Sequence, residues 1–219
     1  MAIKVHNGTA FADVIDVKVH NGTNWEDPKE VRVFNGTDWN KVWPTTVPVE
    51  TLTTTWNVSG IWTYGGNTDS IWPEYKNAPI QGSYNGSKST ARRSILLFPY
   101  ASIQTALAGA TIEKVELYLK RLSSSHGAST AYACIKMHNY SAKRTAWDGT
   151  DLGNADSGSP SFTRGQARWI ELKTFVGEKL RDGTIKGLCL DADTNYDLSR
   201  YIKYDDNIQL RITYSKEVA

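Results

Sequence analysis

The sequence predicts an all-β protein: N-terminal β-hairpin repeats, then an antiparallel β-sandwich of jelly-roll type with one or two short helices. Three observations predict this. A fourteen-residue unit is written three times before residue 44. Beyond it, apolar residues recur with period two or in short runs, and rarely with helical spacing. Finally, eight Trp, eleven Tyr and seventeen Gly against two Met in 219 residues describe an aromatic-rich, turn-rich chain.

The repeat comes first. Val5-His6-Asn7-Gly8-Thr9-Ala10-Phe11 returns as Val19-His20-Asn21-Gly22-Thr23-Asn24-Trp25 and again as Val33-Phe34-Asn35-Gly36-Thr37-Asp38-Trp39. Asn-Gly tolerates positive φ at both central positions of a type I′ turn, so each copy reads as a hairpin with a two-residue turn. Each also places an aromatic, Phe11, Trp25 or Trp39, at the same offset. One such hairpin buries too little apolar surface to stand alone. Stacked copies, or copies from neighbouring chains, bury enough. Residues 1–43 therefore read as an attachment or oligomerisation element with Phe11, Trp25 and Trp39 as its packing anchors.

Residues 44–50 carry Pro44 and Pro48 among β-branched residues and read as a semi-rigid linker. Residues 51–219 form the predicted sandwich. Thr51–Trp56 alternates as a first strand. Residues 57–91 hold Trp62, Tyr64, Trp72, Tyr75 and Tyr84 among Gly, Asn, Ser and Pro, which is loop chemistry loaded with rings. Such rings either line a sugar-binding face, by apolar contact with pyranose, or cover sheet edges and fill a loop-rich core. Trp62, Tyr64, Trp72 and Tyr75 are the candidate ligand-binding residues. Arg93–Phe98 is a buried strand stopped by Pro99, and Tyr100–Ala108 has helical spacing ended by Gly109. Strands follow at Thr111–Lys120, Ala131–His138 and Arg168–Leu172. A short helix over Thr174–Arg181 precedes strands at Ile185–Leu190, Tyr201–Tyr204 and Ile208–Tyr214. Several short strands with turn signals between them indicate two packed antiparallel sheets.

Charge and composition narrow the function. With 25 basic and 23 acidic residues the net charge is +2, too balanced for a nucleic-acid footprint. No stretch is long and apolar enough to span a membrane, and Met1-Ala2-Ile3-Lys4 enters the repeat without a signal-peptide core. A chain made in the cytoplasm is expected. Six Asn-x-Ser/Thr triplets occur, three of them being the repeat's own turn. Cys134 and Cys189 lie in apolar strand-like segments and read as separate buried thiols, although a pair is open to them.

No catalytic constellation is legible. His6 and His20 occupy the repeat position that Phe34 fills in the third copy, so they read as packing residues. Zinc spacings, a Gly-x-Ser-x-Gly elbow and phosphate-cradling glycine loops are absent from the sequence. A non-enzymatic protein without a cofactor is expected. One metal-like pattern, Asp191-x-Asp193-x-Asn195-x-Asp197, places oxygen ligands at alternate positions as a calcium loop begins. It lacks glycine at the sixth position, where Tyr196 stands, and glutamate at the twelfth, where Ile202 stands. A polar turn explains it equally well. Asp191, Asp193 and Asn195 are the candidate ligands of a structural calcium.

Two resemblances emerge from these residues. The segment Arg93 to Tyr214 is similar to the jelly-roll modules labelled DNRLRE, related to carbohydrate-binding modules. It shares a strand ending in Phe98, a short helix, then Gly109-Ala110-Thr111-Ile112 running to Leu117-Tyr118-Leu119, and a Tyr201–Tyr204 segment before the last strand. It departs in Pro99-Tyr100 after the first strand and carries no ligand-specific motif. The repeat resembles the Asn-Gly-Thr-x-Trp hairpins of bacteriophage minor tail and tail-fibre proteins. Together these imply a virion protein whose repeat mounts or trimerises and whose jelly roll, a receptor-binding head, contacts the host. The partners implied are other tail proteins, further copies of the chain in a homo-oligomer such as a trimer, and a host cell-surface polysaccharide. Nucleic acid and membrane insertion are not among them. A purely structural virion component and a carbohydrate-binding module of a polysaccharide-degrading system are the rival readings.

Overall fold

The structure, a computed structural model, describes residues 4–6, 11–13, 19–20, 23–26, 31–34, 36–43, 49–65, 70–71, 78–147, 153–155, 158–192 and 195–217. The chain divides into two compact units, Met1–Pro48 with Val218–Ala219, and Val49–Glu217.

The first unit contains the three hairpins the repeat encodes. β1 (Lys4–His6) pairs antiparallel with β2 (Phe11–Asp13), β3 (Val19–His20) with β4 (Trp25–Glu26), and β5 (Val31–Phe34) with β6 (Trp39–Trp43). The register is the same each time: His6 faces Phe11, His20 faces Trp25 and Phe34 faces Trp39. The His/His/Phe position is therefore the cross-strand register partner of the repeated aromatic. This register leaves residues 7–10, 21–24 and 35–38 between the paired ends. The expected two-residue Asn-Gly turns fall on these stretches, of which residues 7–10, 21–22 and 35 lie outside the described residues. Gly36 has φ +100°, the left-handed backbone that glycine adopts without steric cost.

The second unit is an antiparallel β-sandwich. One sheet has four strands in the order β16 (Ala167–Leu172), β12 (Thr111–Lys120), β19 (Gln209–Glu217), β7 (Val49–Asn57). The other has seven and centres on β11 (Ala91–Leu97). Along one edge of β11 runs β8 (Gly60–Gly65), followed by β9 (Ser70–Ile71). The other edge is shared: β17 (Gly187–Leu190) pairs Ser94–Leu97, and β10 (Ile80–Ser83) pairs Ala91 and Arg92. Beyond these lie β14 (Ile135–His138) and β18 (Ile202–Lys203). A separate two-stranded ribbon joins β13 (Thr130–Tyr132) to β15 (Ser161–Thr163).

The core lies between the sheets. β12 shows how the sequence builds it: Val115, Leu117 and Leu119 are buried and point inward with period two. A register shift between Ile112 and Lys114 inserts one residue, and this bulge returns Ile112 to the inner face three positions before Val115. Helix α1 (Tyr100–Leu107) seals the core with Ile103 and Leu107, and α2 (Phe175–Arg181) with Val176 and Leu180. Gly177 allows this close packing, because a Cβ there would stand 2.7 Å from the Ile112 Cγ2 and 3.0 Å from the Val115 Cγ2, and the core would have to shift to admit it.

Three sequence expectations are corrected. Residues 57–91, read as loop, contain β8, β10 and the start of β11. The single strand expected over Ala131–His138 breaks at Ala133-Cys134, because the Ala133 amide donates to Pro160 O (2.8 Å) and the Cys134 amide to the Gln81 side chain (3.0 Å). The first sandwich strand begins at Val49, inside the stretch read as linker. Cys134 and Cys189 are not joined in a disulfide.

Candidate functional site

The expected ligand rings separate once placed. Tyr64 is fully buried, which overturns its reading as a sugar-facing ring. The reason is a segment far along the chain. Tyr64 Oη donates to Arg144 O (2.9 Å) and accepts from the Arg144 amide (3.1 Å), while Trp147 packs at 6.2 Å between ring centroids. Ile95, Leu97 and Tyr140 complete this second apolar cluster, against which the half-buried Trp62 also packs. The ring of Trp62 lies over Gly60, where a Cβ would meet it at 2.3 Å. Trp72 and Tyr75 lie outside the described residues, as do the side chains of Phe11, Trp25 and Trp39.

The described members of the calcium-like pattern, Asp191, Asn195 and Asp197, each meet protein groups. Buried Asp191 meets Arg93 (3.0 Å) and Lys136 (3.7 Å), and a carboxylate facing two cations is poorly placed to take a third. Asn195 accepts the Asp197 amide (3.0 Å), and Asp197 in turn caps a 3-10 turn at Leu198–Arg200 by accepting the Ser199 amide (2.7 Å). Asp193 lies outside the described residues. Among the described residues no group of three or more His, Cys, Asp or Glu could hold a metal ion.

The exposed rings are elsewhere. Among the described residues four large apolar side chains are exposed: Val49 (63%), Tyr84 (49%), Leu198 (44%) and Tyr132 (41%). The last three gather around the 3-10 turn. Gln81 fixes this arrangement from beneath. Its buried amide donates to Tyr132 O (2.9 Å) and Arg200 O (3.0 Å), and its carbonyl oxygen accepts from the Cys134 amide (3.0 Å) and Tyr204 Oη (3.2 Å). One side chain thus ties β10, the end of β13 and the turn together. Gly82 beside it has φ +75°, and a Cβ there would stand 2.3 Å from Arg200 O. Tyr84 meets Tyr201 edge-on at 6.0 Å, and the Arg200 guanidinium lies 5.4 Å from the centre of the Tyr132 ring.

Tyr132 also forms one wall of a groove of about 470 Å³. The groove is lined further by Ser159, Ser161, Arg168, Ile170 and Glu171. The ribbon register explains its outline: Ala131 and Phe162 face each other and are fully buried, which turns Tyr132 and Ser161 outward as the next pair. The opposite wall is β16, an edge strand. Arg168 Nη1 donates to Ser161 O (3.3 Å) and its guanidinium stacks over Phe162 at 5.9 Å. Ser159, on the rim, is the single described non-glycine residue with positive φ (22°). Exposed rings beside hydroxyls, a carboxylate and guanidinium groups can stack on a sugar ring and hydrogen-bond its hydroxyls. Sequence reasoning missed this face, because Tyr132 alternates with buried neighbours and reads as an ordinary strand residue. The chain matches no protein-family model and no curated protein.

Proposed function

We propose that the protein is a non-enzymatic bacteriophage virion component of the tail tip or tail fibre that displays a β-sandwich for contact with a host-surface polysaccharide. The hairpin repeat mounts the chain on other tail proteins or joins copies of it, a trimer being the simplest fibre arrangement. What carries the reading is the combination on one chain of a threefold Asn-Gly-Thr-x-aromatic repeat with a separate sandwich that exposes Tyr84, Leu198 and Tyr132, the last of them lining a polar groove. Burial of Tyr64 and packing of Trp62 move the proposed contact face from residues 57–75 to the β13–β15 ribbon.

The same burial supports a second reading, a purely structural virion component whose rings serve packing. The two readings separate in a co-sedimentation assay on insoluble cell-wall polysaccharide from a panel of bacteria. The proposal expects the full chain to sediment with at least one wall preparation. Tyr84→Ala with Tyr132→Ala should lower its affinity about tenfold or more, since each 1.4 kcal/mol of lost ring burial is a factor of ten. Retention of folded protein on no preparation favours the structural reading.

A further inference from the structure

Four guanidinium groups surround the β13–β15 ribbon, and among the described residues none forms an ion pair with a carboxylate, although Asp197 interacts with Arg200 at longer range. Arg164, in the turn after β15, donates to Gly127 O (2.9 Å). Arg168 lies over Phe162 and donates to Ser161 O. Arg200 lies over Tyr132 and reaches the Cys134 sulfur at 3.3 Å. Beneath them Arg121, fully buried, donates to the carbonyls of Ala128 (2.6 Å), Ser129 (3.0 Å) and Phe162 (2.7 Å). Its Nε has no hydrogen-bond partner. Burial, and then the positive charge of Arg164, hold the Arg121 pKa below the usual guanidinium value.

Three other arginines of the sandwich are matched: Arg93 with Asp191 at 3.0 Å, Arg181 with Asp182 at 2.8 Å, Arg211 with Glu116 at 2.9 Å. The acid in the groove, Glu171, stands 4.0 Å from Lys114. The ribbon face therefore gathers four guanidinium groups outside any ion pair against two nearby carboxylates, Glu171 in the groove and Asp197, whose charge interacts with Arg200. Like charges held together repel, and an oxyanion placed beside Arg164, Arg168 and Arg200 is attracted by all three.

We propose that this face binds an acidic polysaccharide, specifically one whose pyranose rings carry their own carboxylates. The proposal rests on the polysaccharide reading above and narrows it. Arg200 beside exposed Tyr132 offers an apolar ring face and a planar two-pronged donor within one sugar's reach, the combination that a uronate presents in complement. Arg168 across the groove supplies a second donor for the next unit along the chain. Nucleic acid fits less well, because Glu171 and Asp197 interrupt the basic surface that a phosphate backbone would track.

The test is biolayer interferometry of the full chain on sensors bearing polygalacturonate, dextran, poly(glycerol phosphate) or duplex DNA. Polygalacturonate is expected to bind at least tenfold tighter than the other three, with affinity falling steeply between about 50 and about 500 mM salt as charges are screened. Arg168→Gln with Arg200→Gln, both on side chains outside the core, should lower that affinity at least tenfold with unchanged near-ultraviolet circular dichroism. Lys216→Gln, at the far end of β19, should leave it unchanged. Equal, salt-indifferent binding to dextran would overturn the acidic assignment while leaving the polysaccharide reading intact. Tighter binding to poly(glycerol phosphate) or DNA overturns the uronate in favour of a phosphate polymer or a nucleic acid. No binding on any sensor overturns the inference alone if cell-wall co-sedimentation succeeds, and both readings if it also fails.

Discussion

His138 shows how burial fixes a residue's chemistry. It is fully buried in β14, its Nε2–H donates to Leu96 O (3.1 Å) and its Nδ1 accepts the Tyr140 amide (3.1 Å). Both nitrogens are used only if the ring is neutral, and burial, the dominant cause, pushes its pKa down to about 4. In the unfolded chain the imidazole takes up a proton near pH 6.5, before the folded one does. Stability from this group is therefore fully present above pH 6.5, falls as the pH drops from there toward about 4, and is level below that. The swing is roughly 3 kcal/mol at about 1.4 kcal/mol per pH unit. Urea unfolding at pH 7 and pH 4.5 should show a larger stability loss for the wild type than for His138→Gln. Equal losses in the two proteins would contradict the assignment. Little at this scale is legible in sequence. That His138 is buried follows from its place in an apolar strand, but its partners Leu96 and Tyr140 are supplied by the fold. Tyr64 fails for the same reason: only the structure lays residues 140–147 over it.

At the scale of elements, local pattern and local structure agree wherever the determining contacts are also local. β12 spans the residues its alternation predicts, and both helices form within a residue or two of the expected limits. β8 was hidden because Gly60 and Gly65 bracket a mixture of rings and Thr63 that lacks alternation; it is buried on both faces, where alternation is not required. The break between β13 and β14 was hidden because the group that captures the Cys134 amide, Gln81, lies 53 residues away in sequence. The hairpins were legible as hairpins, since Asn-Gly and the repeated aromatic are both local signals. Their need for company yields an expectation on mass. If the repeat joins copies of the chain, light scattering should give a multiple of the 24.4 kDa chain for the full protein and a monomer for residues 49–217. A monomer in both cases would assign the repeat to mounting on a different protein.

At the scale of the whole molecule, the all-β architecture and the two-part organisation follow from composition and repeat, whereas the proposed contact face does not. Net charge cannot reveal that Arg164, Arg168, Arg200 and Arg121 stand together with no ion pair among the described residues, because charge pairing is a spatial property. Aromatic density along the chain points at residues 57–91, and within them Trp62, Tyr64, Trp72 and Tyr75 are the expected ligand rings, but exposure, set by what covers a ring, points at Tyr84 and Tyr132. The central claim is that the β13–β15 ribbon and its groove contact a polysaccharide. The most direct measurement is hydrogen–deuterium exchange of the full chain with and without the wall polysaccharide that retains it. Slowed exchange confined to Thr130–Tyr132, Ser159–Arg168 and Leu198–Tyr201 is the expected result. Slowing at Gly60–Gly65 with the ribbon unchanged would contradict the account and return the contact to the rings around Trp62.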